Sequence, residues 1–243
     1  MVLQGVVLGR LYADFLFISQ HENSTLFIYR GFLHENFAVS IKNTTFAGHN
    51  FTIMRYLFFD TETTGVPQDY KAPSSDTDNW PRMVQLAWIL TDDEGSRLHS
   101  GNLIIRPDGF EIPEETSRIH GITTERALKE GVALEDAISE FREDLKDADC
   151  IVGHNVSFDK RIVGAEMIRL GLDDEVDGMK SLCTMMSSID FCQLPGKYGF
   201  KYPRLQELYV KLFGHEFDDA HNAMSDIDAT EQCFRELRKK GLI

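Results

Sequence analysis

Cysteine is scarce in this 243-residue chain, and its four copies lie far apart, at Cys150, Cys183, Cys192 and Cys233. No C-x-x-C pair occurs, which argues against a zinc or redox motif and for reduced cysteines in a cytoplasmic protein. Long apolar runs are missing too, so no segment is expected to span a bilayer. The first residues lack the basic start and compact apolar run of a secretion signal. Positive charge is also in short supply, with 25 Lys and Arg against 39 Asp and Glu and a formal net charge of −14. That balance argues against loose binding to nucleic acid, which relies on Lys and Arg to neutralise phosphates. It leaves room for a site in which divalent ions, held by carboxylates, reverse the local sign. Binding would then be weak without metal. The remainder, 42% hydrophobic and 26% charged, is that of an ordinary globular protein able to bury a core.

Residues 1–53 differ from the rest. Arg10, Arg30 and Lys42 balance Asp14, Glu22 and Glu35, so the whole net charge falls on residues 54–243. The segment shows neither heptads nor helical stripes. It reads as an N-terminal extension preceding Met54, itself a candidate start. Translated upstream sequence, a poorly packed extension and a small β module all stay open.

From Met54 onward the pattern is legible. Residues 55–60 form a short apolar run that ends in Asp60, as expected of a buried strand. Residues 83–91 and 97–106 read as two more strands joined by a turn closing at Gly95, which makes an antiparallel meander. Leu134, Ile138, Phe141 and Leu145 mark one helical face. Cys150 to Val152 is a short buried strand, and residues 158–170 a helix that Gly171 can close. A fifth strand at 181–185, a helix lined by Leu205, Leu208 and Leu212, and a last helix from about Ser225 to Lys239 complete the series. The order βββαβαβα implies an α/β fold with a mixed five-stranded sheet flanked by helices. Functional residues should gather where strands end.

Three places carry candidate chemistry. Asp60 and Glu62 are two apart, so an extended backbone puts both carboxylates on one side, able to share a hard cation. Ionised groups at the end of the most apolar strand need partners. Asp159 opens a helix after a buried strand, where either a ligand role or interaction with the helix dipole would place it. His154, nearby, reads as a hydrogen-bonded structural histidine. His221 lies in the loop before the last helix and Asp226 in that helix's first turn.

Four acids and a histidine in this order resemble the DEDD exonucleases of the histidine subtype, the DnaQ-like family that includes the proofreading epsilon subunit of bacterial DNA polymerase III. Residues 59–65 are similar to its first motif, His154 through Asp159 to its second, and His221 through Asp226 to its third. Residues 84–87 and 119–123 resemble lesser landmarks. The likeness covers about residues 55–237. It departs from the family in the N-terminal segment and in a longer loop, Pro67–Pro81.

The resemblance implies a ribonuclease-H-like fold and 3′–5′ removal of nucleoside 5′-monophosphates from DNA. It implies two Mg²⁺ or Mn²⁺ ions roughly 3.5–4 Å apart. Asp60 would bridge them, Glu62 and Asp226 would complete one site, and Asp159 would serve the other. His221 would accept a proton from the attacking water. Thr63, Gly65 and Val66 would hold the terminal nucleotide, with Val66 as a wedge, while Glu115 and His120 would contact the 3′ end. Tyr70 and Trp80, in the longer loop, would stack on unpaired bases or simply pack the loop. Expected partners are single-stranded DNA or frayed 3′ ends, RNA as the alternative substrate, and DNA polymerase III subunits. Two rivals are weaker. A haloacid-type phosphatase needs Asp where Glu62 stands, and a non-catalytic module should have lost one of the five residues.

Overall fold

The computed structural model describes residues 53–218 and 222–243, together with the backbone of four short strands between residues 17 and 51. The chain divides into two compact units, residues 1–52 and 53–243. In the first, β1 (Phe17–Gln20) pairs antiparallel with β2 (Leu26–Tyr29), and β3 (Thr44–Phe46) with β4 (His49–Phe51). The rest of that segment lies outside the described residues.

The second unit is built on a five-stranded sheet. Its strands are β5 (Tyr56–Thr63), β6 (Met83–Thr91), β7 (Arg97–Ile104), β8 (Cys150–Gly153) and β9 (Ser181–Cys183). The spatial order is β7-β6-β5-β8-β9. β7, β6 and β5 form the expected antiparallel meander, whereas β8 and β9 join parallel to β5. Every residue of β6 is buried, as befits a central strand covered on both faces.

Side-chain alternation along β5 creates two cores. Leu57 and Phe59 point toward α3 (Leu134–Asp147) and α4 (Val156–Arg169), where the rings of Phe59 and Phe141 are 5.5 Å apart. Tyr56 and Phe58 point the other way, onto α8 (Ala223–Lys239), and close on Phe234 at 5.0 and 5.3 Å. The sheet is thus sandwiched between helices, as the sequence predicts, and β5 is fixed from both sides at its most apolar stretch.

Several connections differ from expectation. Two seven-residue helices, α1 (Glu114–His120) and α2 (Thr124–Glu130), precede α3. Both are too short for periodicity to reveal. Their signs are local: Gly121 in the left-handed region ends α1, and the Thr123 hydroxyl caps α2 by accepting from the Arg126 amide. Residues 181–185 form strand only to Cys183, after which α5 (Thr184–Ser187) and α6 (Ile189–Cys192) follow. A small hairpin, β10 (Pro195–Gly196) with β11 (Gly199–Phe200), leads to α7 (Leu205–Phe213). Among the described residues no helix is long and apolar enough to cross a membrane. All four cysteines are free.

Candidate active site

The alternation that splits the core continues past Phe59 and sorts the polar end of β5. Asp60 and Glu62 share parity with Phe58, so they face the side on which α8 lies. α8 is docked there by Ala223, Ile227 and Phe234, and it presents Asp226 from its first turn. Asn222 caps the helix, its side-chain oxygen accepting from the Met224 amide at 3.2 Å. As a result, carboxylate oxygens of Asp60, Glu62 and Asp226 all lie within 4.8 Å of one another.

Thr61 has the opposite parity and faces α4. Its backbone amide and its hydroxyl both donate to Asp159 Oδ1, at 3.0 and 2.8 Å. Asp159 is only 3% exposed. It sits in the first turn of α4, which starts after Asn155 in the left-handed region (φ 73°), a conformation Asn tolerates better than most residues. Two acids from β5, one from α4 and one from α8 therefore converge at one end of the sheet. Thr61, whose role sequence reading missed, is the tie between them. Its signal was present: a hydroxyl between two candidate ligands must point to the opposite face.

Like charges brought this close, out of water, resist ionisation. Burial, then Asp159, Glu62 and Asp226, holds Asp60 well above the usual carboxylate range. Burial, Asp226 and Asp159 push Glu62 up to about 8. Burial raises Asp159 to about 7 against the two hydrogen bonds from Thr61, which favour its charged form. Among the described residues, these three carboxylates offer oxygen donors within 4.8 Å of one another, which suits a hard divalent ion whose positive charge would favour their ionised forms.

His221 lies outside the described residues. His154 is placed and is structural, as expected. Its Nε2 donates to the Pro203 carbonyl at 3.0 Å, so its Nδ1 accepts from the Thr184 hydroxyl at 2.9 Å. Burial lowers its pKa to about 4, and the ring is neutral near pH 7. Thr63 is buried, and its hydroxyl donates to the Gly65 carbonyl at 2.7 Å. This tightens the loop whose next residue, Val66, stands 69% exposed. The loop is tied to the start of β6 by reciprocal bonds: the Thr64 amide to the Arg82 carbonyl, and the Arg82 amide to the Thr64 hydroxyl. His120 is buried beside the Thr63 backbone, with burial holding its pKa down, and its Nδ1 accepts from the Ile122 amide. Glu115 is exposed in the first turn of α1, the helix that also carries His120.

The longer loop is not slack. Trp80 is 3% exposed and donates through Nε1 to the Pro73 carbonyl at 3.0 Å, which is the packing role. Asp69 and Asn79 bond reciprocally across the loop. Arg169 of α4 donates to the carbonyls of Thr77 and Trp80, and Ser74 donates to Asp174. Tyr70 remains 61% exposed on this braced scaffold.

Comparison with known proteins agrees with this geometry. Residues 57–234 match the exonuclease family (RNase_T). The chain is 26% identical over 180 residues to a PolC-type DNA polymerase III of Pediococcus pentosaceus, covering 72% of this chain but 11% of that protein. In fold it is similar to E. coli exonuclease I solved in complex with a dA16 oligonucleotide, with a TM-score of 0.62 and 23% identity, covering 78% of this chain and 42% of the other. A moderately thermophilic exonuclease I from Methylocaldum szegediense gives a TM-score of 0.60 at 22% identity, with coverages of 77% and 41%. The chain thus spans about a tenth of the polymerase and two fifths of the exonucleases.

Proposed function

The chain belongs to the exonuclease family, as a DnaQ-like member of the DEDDh type, and on that premise we propose that it removes nucleoside 5′-monophosphates from the 3′ ends of DNA. The observation that carries the reading is the meeting of Asp60, Glu62 and Asp226 within 4.8 Å, with Asp159 beside them.

Asp60 would be shared between two divalent ions, with Glu62 and Asp226 on one and Asp159 on the other. Bound Mg²⁺ or Mn²⁺ would supply Lewis acidity and stabilise the charge that develops on the attacked phosphate. The protein's part is to hold the ligands rigid. Thr61 orients Asp159, the β5 core orients Asp60 and Glu62, and the capped start of α8 orients Asp226. His221 would accept the proton of the attacking water. The Thr63–Val66 backbone would grip the terminal nucleotide, and exposed Val66 would wedge beside its base. Glu115 and His120 would contact the 3′ end. The similarity to a PolC-type polymerase supports polymerase subunits as partners, and the fold shared with an exonuclease solved on an oligonucleotide supports single strands or frayed ends as substrate.

The test is digestion of 5′-labelled single-stranded DNA, duplex DNA with a mismatched 3′ end, and RNA, each with Mg²⁺ or with chelator. A ladder shortening from the 3′ end of DNA, only with metal, is the expected result. Endonucleolytic cuts, shortening from the 5′ end, or activity in chelator would each overturn the proposal. Faster trimming of RNA than DNA would replace the substrate.

A further inference from the structure

In a chain of net charge −14, one acid-free stretch carries three cations within eight residues. Residues 193–206 contain Lys197, Lys201 and Arg204 and no Asp or Glu. Aromatic residues alternate with these cations: Tyr198, Phe200 and Tyr202. The structure folds residues 195–200 into the β10–β11 hairpin, with Lys197 and Tyr198 at its two-residue tip, and Lys201, Tyr202 and Arg204 follow it. Tyr198 is 91% exposed, Phe200 50% and Tyr202 58%. Large apolar side chains that are exposed together call for an occupant. The tip's ammonium, Lys197 Nζ, sits 5.1 Å from the Tyr198 ring centre and forms no ion pair among the described residues.

The base of the hairpin is anchored. The Lys201 amide donates to the Leu194 carbonyl, Lys201 Nζ bonds Glu207, and the Pro203 carbonyl accepts from His154. His154 stands just before the turn that starts α4, and Asp159 follows in that helix's first turn. The anchor therefore ties the hairpin to the element that positions a catalytic acid. Next to the hairpin's anchor, a cleft of about 380 Å³ is lined by Tyr202, Met186, the braced Tyr70, Asn155 and Phe158. Aromatic faces with interleaved cations are what an unpaired strand needs, because every base offers a π-face whatever its identity.

We propose that this cleft and the hairpin form one track for the single strand that leads to the reacting 3′ terminus. Bases stack on Tyr70, Tyr202 and Tyr198, and Lys197 meets a phosphate. The proposal rests on the exonuclease reading for the strand's direction, and it adds several nucleotides of sequence-independent grip beyond the terminal one. It also explains how so acidic a protein can hold a polyanion away from its metal site.

The test compares kcat/KM for a thymidine dinucleotide and a dodecamer, with uridine counterparts, in wild type, Tyr198→Ala and Lys197→Glu. Binding of the labelled dodecamers is followed in parallel by fluorescence anisotropy over a range of KCl. The wild type should prefer the dodecamer. Tyr198→Ala should shrink that preference by about 5- to 150-fold, the loss expected for one stacked base. Lys197→Glu should weaken binding and flatten its dependence on salt. Equal rates on long and short substrates in the wild type, or equal losses on both in Tyr198→Ala, would overturn the track. If the wild type cleaves nothing yet binds the dodecamer in a Tyr198-dependent way, the exonuclease reading fails and the track stands. Loss of grip on DNA alone, or on RNA alone, would tell which strand the track serves.

Discussion

Replacing Glu62 by Gln should make the metal-free protein more stable at pH 8. Burial and the neighbouring Asp226 and Asp159 raise the Glu62 carboxyl from 4.5 to about 8. In the unfolded chain the same group gives up its proton near 4.5. Between these values the folded protein binds a proton that the unfolded protein does not, so stability falls as pH rises through this window. It is fully present below about pH 4.5 and lost above about 8. One pKa unit corresponds to about 1.4 kcal/mol, so the upper bound on the loss is about 5 kcal/mol. Glu62 is partly exposed, and solvent screening brings the expected figure to about 2–3 kcal/mol. At about 2–4 °C per kcal/mol for a domain of this size, the melting temperature should drop by roughly 5–10 °C. Scanning calorimetry in chelator from pH 5 to 8 reads this directly. The wild type should lose stability across the range, Glu62→Gln should lose less, and Mg²⁺ should rescue the wild type far more than the variant. Parallel curves for the two proteins, with equal response to Mg²⁺, would refute the electrostatic account of the site.

Asp60→Ala or Asp226→Ala should abolish hydrolysis while circular dichroism stays native; unchanged turnover in either would remove it from the site. His221→Ala should reduce turnover by roughly 10²–10⁴-fold, as for loss of a general base; a change only in metal affinity would make it a ligand instead. Thr61→Val should remove a hydrogen bond that favours ionised Asp159, worth about 1.5–3 kcal/mol, and move the acid limb of the pH–rate profile upward. A profile that does not move would mean that Thr61 does not set the state of Asp159. A protein starting at Met54 should retain full activity, and a folded but inactive one would show that residues 1–53 contribute to the reaction.

The parts of the fold legible in sequence are those where burial is continuous. β6 spans residues 83–91, the limits its largely apolar run suggests, and the polar residue inside it, Gln85, is buried with its Nε2 donating to Asn102. The Asp60–Glu62 pair was legible for a related reason: acids that end such a run must face something that repays their burial. Short elements escaped. α1 and α2 have seven residues each, and β10 and β11 only two, too few for any period to register. α4 starts at Val156 instead of residue 158, because its start is set by the backbone of Asn155 and not by apolar spacing. The tie between Thr61 and Asp159 joins residues almost a hundred positions apart, and only the parity of β5 hinted at it. The exposure of Tyr198 and Tyr202 was invisible for the opposite reason: aromatic residues in a sequence read as core until a hairpin carries them outward.

Anomalous diffraction from crystals soaked with Mn²⁺ and a nucleoside 5′-monophosphate puts the central claim to its most direct trial. The account predicts two peaks a few ångströms apart, one coordinated by Asp60, Glu62 and Asp226 and the other shared between Asp60 and the side of Asp159. Manganese absent from these carboxylates in well-ordered crystals, or bound elsewhere with the nucleotide, would contradict it.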